Sequence, residues 1–230
     1  MRSATVPFGI QNSAAARALG RAAAVLALSC CGVAGADEGW SLAKRSDGIS
    51  VYTRRVADSP LKAFKGEVEV ATDVERVLAV LGDADTFPDW VPDTLACRLL
   101  ESREGVRTLY IETHAPWPAS NRDGVYRFTS ARDAGGGAAT VRVEALPDFV
   151  PRREGLVRIP RSDGRWSIEA MGSGVHVAYE IHADPGGWVP AWIANLTVVR
   201  MPYDTLRNLR RVLLSPSRAG AGCPASQPAE

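Results

Sequence analysis

The side chains able to do chemistry are few in this chain, and their spacing narrows what they could do. There are three histidines and four cysteines, with acidic residues spread along the length. His176, Glu180 and His182 fall on one face of a strand-like run, as metal ligands would. Six residues at about 3.3 Å each put the two histidines about 20 Å apart, and Glu180 with His182 is too small a ligand set. Asp83, Asp85, Asp89 and Asp93 are spaced somewhat like a calcium loop, but Pro88 interrupts them and the turn glycine is missing. No Gly-x-Ser-x-Gly elbow occurs, and no Cys–His arrangement has a convincing third member. Gly172-Ser173-Gly174 lacks the third glycine of a nucleotide-binding turn and reads as a hairpin. His114 suits a hydrogen-bonded structural role better than that of a base. The expectation is a protein with no metal, no cofactor and no catalytic residues.

Composition agrees with an ordinary globular chain. Its 230 residues are 46% hydrophobic and 23% charged, enough for one domain with a sizeable core. With 27 Lys and Arg against 26 Asp and Glu, it lacks the basic excess a nucleic-acid backbone demands, so no nucleic-acid partner is expected. Residues 1–36 carry Arg2, Arg17 and Arg21, no acid, and an apolar run ending in Ala34-Gly35-Ala36. A basic flank, a short apolar stretch and an A-x-A site read as a secretory signal peptide. The run is too short and too Ala-rich for a membrane span of about 20 residues. Its removal leaves Cys97 and Cys223, and export would permit a disulfide between them. Cys97 nevertheless suits a small buried thiol in an apolar strand, and Cys223 a frayed tail. The expected organisation is a signal peptide over 1–36, one domain over 37–216 and a disordered tail over 217–230. A periplasmic location follows, with secretion the alternative, and a monomer is expected.

The elements that must position any site are mostly strands. Trp40 and Leu42 lie in a short amphipathic stretch ended by Asp47-Gly48, and β-branched alternation then predicts strands over 49–56 and 61–70. Thr72 as cap with Glu75 at the reciprocal position opens a helix carrying Val74, Val77, Leu78 and Leu81 at spacings of three and four. Period two returns over 94–103, 105–114, 123–131, 138–146, 163–171 and 174–183, broken at Glu104-Gly105, Gly135-Gly136-Gly137, Asp163-Gly164 and Gly172-Ser173-Gly174. A long amphipathic helix from Val189 closes the chain, with Pro202 expected to kink it. Its first half, where Ala191, Asn195 and Thr197 interrupt the apolar face, is the part suited to gating. Consecutive hairpins exclude a parallel βαβ sheet and imply an α+β domain, one curled antiparallel sheet around the last helix with room for a ligand.

Four segments resemble a known family. They are Asp47-Gly48-Ile49 with Val51-Tyr52 and Arg54; Trp90; Pro116-Trp117-Pro118-Ala119-Ser120-Asn121-Arg122-Asp123; and Tyr179-Glu180-Ile181-His182-Ala183-Asp184-Pro185-Gly186-Gly187. Together they resemble the START (steroidogenic-acute-regulatory-related lipid transfer) family over about residues 40–215. The resemblance implies a helix-grip fold with an internal hydrophobic tunnel that holds one lipid and carries it without chemistry. It also implies a buried Glu–Arg pair as polar anchor, at Glu112 and Arg122. A secretory signal sets this chain apart from animal members, so their particular lipids do not carry over.

The expected ligand is a sterol, a phospholipid or a fatty-acyl compound, with transient contact at a membrane surface. Alternation along the sheet and the last helix selects Val141, Val143, Trp166, Ile168, Tyr179, Trp192, Leu196 and Val199 as walls, beside Glu112, Arg122 and Tyr110. Asp123 is expected to satisfy backbone amides or neighbouring arginines rather than touch ligand. Pro116-Trp117-Pro118 either shapes the tunnel mouth or, the favoured reading, stiffens a hairpin with Trp117 in the core. Two other functions stay open: an enzyme of the polyketide cyclase/aromatase type, with Glu112, Tyr110 or His114 as proton shuttle, and a sensory or interaction module stabilised by its ligand.

Overall fold

Alternating apolar and polar residues produce ten strands among the described residues of this computed structural model. These are 39–189 and 191–216, with the backbone alone for 191–196. The proposed signal peptide, the tail and Cys223 lie outside them. The chain opens with β1 (Ser41–Ser46) and β2 (Ile49–Arg55), paired antiparallel across a two-residue turn. Asp47 and Gly48 both take positive φ, 52° and 73°, as that tight hairpin requires. The Trp40–Leu42 stretch is therefore followed into an edge strand. β3 (Lys62–Val70) joins β2, and the chain then crosses through α1 (Val74–Leu81) and α2 (Phe87–Trp90) to the opposite edge.

There β4 (Thr94–Arg103), β5 (Val106–Thr113), β6 (Arg122–Arg132) and β7 (Ala138–Ala145) follow as a meander. β9 (Arg161–Met171) and β10 (Gly174–Asp184) complete the order β1-β2-β3-β10-β9-β7-β6-β5-β4. The two-residue β8 (Val157–Arg158) runs parallel beside β6 and had no signal in the sequence pattern. Asp163-Gly164, expected as a turn, lies inside β9. Gly164 is needed for packing there: a Cβ would stand 2.7 Å from Ile181 Cγ1.

α1 is capped by Asp73, not Thr72: the Asp73 carboxylate accepts the Arg76 amide at 2.7 Å. Glu75 does not reach back to the cap. Its carboxylate accepts two bonds from the Arg132 guanidinium on β6, one of them at 2.6 Å. α2 also went unread, because Phe87-Pro88-Asp89-Trp90 is too short to show a period.

α3 (Ala191–Leu214) runs on through Pro202 and lays Tyr203, Leu206, Leu209 and Leu213 into the core. Gly66 on β3 lets the helix come close, since an added Cβ would stand 2.7 Å from Leu206 Cδ1. Polar ties fix the rest. The Tyr203 hydroxyl donates to the Asp47 carboxylate, Arg210 donates to the Asp47 carbonyl at 2.6 Å, and Arg211 reaches the Asp89 carbonyl at 3.1 Å. A curved antiparallel sheet that holds one long helix in its concave face is the helix-grip α+β fold.

Candidate functional site

The inward faces of β3, β5, β6, β7, β9 and β10, with α2 and α3, enclose a cavity of about 290 Å³. Its buried wall is aromatic. Trp166 on β9 and Tyr179 on β10 are register partners, stacked at 4.0 Å between ring centroids. Trp90 meets Trp166 edge-on at 5.7 Å, Phe64 meets Tyr179 at 5.5 Å, and Phe87 packs between Trp90 and Phe128. Burial pushes the phenols of Tyr179 and Tyr126 upward, so both remain neutral hydroxyls. Gly124 makes room for Tyr126, whose ring carbons would lie 2.5 Å from an added Cβ. The rim is more polar, with exposed Lys62, Asp93, His114 and Thr197 beside Pro116.

Arg122, Val143, Trp166 and Tyr179 line this cavity. Val141 and Ile168 are fully buried but lie away from it, Val141 towards α1 beside Leu78 and Leu81. Val199 is half-buried against the core, and the helix presents Val198 and Met201 to the cavity instead. The side chains of Trp192 and Leu196 lie outside the described residues. Period-two reading also passed over Phe87 and Trp90, which α2 turns inward, and Ser162.

The Glu112–Arg122 pair is not formed. Glu112 stands opposite Asp123 in the β5–β6 register, whereas Arg122 stands opposite Thr113, so alternation sends the two charges to opposite faces of the sheet. Glu112 instead accepts a bond from Arg153 at 2.9 Å. Tyr110 shares that outer face and donates to Asp123 at 3.1 Å. Spacing alone could not have separated the two faces, because ten residues with an intervening loop carry no parity rule; the register does.

On that outer face, Asp123 is the centre of a buried cluster. Arg158 donates to both of its carboxylate oxygens, at 2.9 and 2.8 Å, and both side chains are about 1% exposed. The same guanidinium donates to the carbonyls of Pro147, Val150 and Pro151, which pins the 146–160 segment over the sheet. Burial alone would raise the Asp123 carboxyl, but the hydrogen bonds and charge of Arg158, with Tyr110, hold it below the ordinary carboxylate value. Asp123 thus serves arginine, as its sequence context suggested. Arg158 had no such signal, since its partner lies 35 residues away.

The loop between β5 and β6 contradicts the favoured reading of Trp117. Its side chain is 88% exposed, the Trp117–Pro118 peptide is cis, and neighbouring Pro116 lines the cavity. Trp188 is likewise 71% exposed, next to Val189, another lining residue. His114 is exposed on the rim, and among the described residues no hydrogen bond reaches its ring. His182 meets Ser59 at 3.1 Å. Cys97 is a free thiol, half-buried against the core and pushed up to about 12 by burial, then by Asp85 and Asp83.

A helix gripped by a curved sheet around a largely apolar cavity defines a class of proteins that hold a hydrophobic guest. A family model described as START domain matches residues 21–214, and the chain belongs to that family. The STAR-related lipid transfer protein of Xanthomonas axonopodis is 50% identical, with TM-score 0.72, over 76% of this chain and 98% of that one. Human phosphatidylcholine transfer protein is 31% identical over 188 residues, 78% of this chain and 85% of its own. An uncharacterised protein of Pseudomonas aeruginosa is 34% identical over 189 residues, 81% of this chain and 93% of its own.

Proposed function

We propose that the protein binds one lipid in this cavity and carries it between membranes without transforming it. The observation that carries the reading is the cavity itself, walled by stacked and edge-on aromatics with a single buried charge, Arg122. Such a surface favours an apolar guest, at roughly 25 cal/mol per Å2 removed from water. Relatives named for lipid transfer and for phosphatidylcholine transfer support the same reading. Catalysis has little to work with. Of the three groups suited to shuttle a proton, Glu112 and Tyr110 face away from the cavity and are engaged with Arg153 and Asp123, leaving His114 on the rim. The signal peptide expected over 1–36 would export the carrier to the periplasm.

Transfer requires contact with a bilayer, and the rim is equipped for it. Tryptophan is ordinarily well buried, yet Trp117 and Trp188 project from two loops beside lining residues. An amphipathic ring of this kind settles at the headgroup level of a membrane. Trp117→Ala with Trp188→Ala should slow movement of a fluorescent phospholipid between vesicles several-fold, while thermal stability and the amount of lipid bound stay as in the wild type. Unchanged transfer would remove these rings from the membrane step.

A further inference from the structure

Among the described residues Arg122 is the one buried charge in the cavity wall, 7% exposed, and it lacks the acid that the family resemblance implied for it. One of its N–H groups donates to the Ser120 carbonyl; among the described residues no other hydrogen bond and no ion pair reaches it. A guanidinium offers five N–H donors, so most of them are uncommitted. Glu112 is held by Arg153 and Asp123 by Arg158, both on the far face. The remaining carboxylate among the lining residues is Asp93, exposed on the rim. Burial holds the Arg122 guanidinium below its usual pKa, with no neighbouring acid to offset the effect.

Two further groups in the same wall wait for a partner. Ser162 Oγ and Trp90 Nε1 are buried, both residues line the cavity, and neither atom has a hydrogen bond. The chain runs from one to the other over a short path: Val157 of β8 pairs with Arg122, the Ile159 amide bonds the Asp123 carbonyl at 2.8 Å, and Ser162 of β9 follows three residues later. Guanidinium, hydroxyl and indole N–H all donate. A wholly apolar guest, or one with a lone hydroxyl, would strip water from Arg122 and leave its charge unanswered, which is costly. A group with several acceptor oxygens and a negative charge answers it.

We propose that Arg122 seats an anionic headgroup: the lipid held here carries a phosphodiester or a carboxylate, which supplies the counter-charge that the protein itself withholds. The inference rests on the lipid-carrier reading above and narrows its ligand.

The test compares guests that bear the acidic group with partners that lack it. Full-length protein is delipidated and titrated with phosphatidylglycerol against diacylglycerol of the same chains, with palmitate against hexadecanol, and with cholesterol. Inorganic phosphate alone separates a headgroup site from a free-anion site. One or both anionic guests should bind about ten- to a hundredfold more tightly than the neutral partner. Inorganic phosphate should neither bind measurably nor compete. Arg122→Met should erase the preference while hexadecanol or diacylglycerol binds as before, and Arg122→Lys should restore part of it. Because Arg122→Met removes an unanswered charge, the lipid-free variant should melt no lower than the wild type. Equal affinity for charged and neutral guests, or an Arg122→Met variant with its preference intact, would overturn the proposal. If no lipid of any class binds the wild type, the carrier reading itself falls and this inference falls with it.

Discussion

At the scale of the residue, two arginines on neighbouring strands meet opposite fates. Arg158 is saturated: Asp123 neutralises it and three carbonyls take its remaining donors. Arg122 faces the cavity and has a single carbonyl. Deleting one partner of a fully buried ion pair strands the other charge, so Arg158→Ala should cost about 3–5 kcal/mol in urea denaturation and free the 146–160 segment for proteolysis. A loss below about 1 kcal/mol would mean the pair is solvated and not buried. The pH dependence has a definite sign. The folded carboxyl of Asp123 lies below its ordinary value, so its contribution is complete above about pH 4 and fades as the pH falls through the folded pKa. The stability gap between wild type and Asp123→Asn should accordingly be flat from pH 5 to 7 and close in acid.

At the scale of the element, the strands and the last helix were legible because their periods are long and clean. β4, β5, β7 and β10 begin and end within a residue of the alternation expected over 94–103, 105–114, 138–146 and 174–183. What escaped was short or depended on distant partners. β8 has two residues and α2 four, too few to carry a period, and Gly164 mimics a turn while serving a close packing contact. The candidate site was legible by residue type more than by face. Trp166 and Tyr179 line the cavity, but the Glu112–Arg122 pair failed because parity across a loop is set by register, which only the paired strands reveal. The contact of sheet and helix also has a testable consequence. An alanine at Gly66 would put a methyl 2.7 Å from Leu206 Cδ1, and Leu206 is wholly buried. Gly66→Ala should destabilise by about 1–3 kcal/mol through overpacking. Adding Leu206→Ala to it should cost less than the two changes sum to separately; strict additivity would show that helix and strand do not meet there.

At the scale of the whole molecule, fold and function follow from one geometric fact: a curled sheet and a single helix do not fill the space between them. Aromatic residues from the sheet and α2 line that space, Arg122 charges one part of its wall, and exposed tryptophans flank its rim. The central claim is that this space holds one lipid. Native mass spectrometry of the full chain, expressed in an exporting host and purified without detergent, tests it most directly when followed by extraction and identification of what is released. The account predicts a one-to-one adduct with the mass of a lipid that bears a phosphodiester or carboxylate. A spectrum free of adducts, still bare after incubation with phospholipid, fatty acid and sterol, would contradict it.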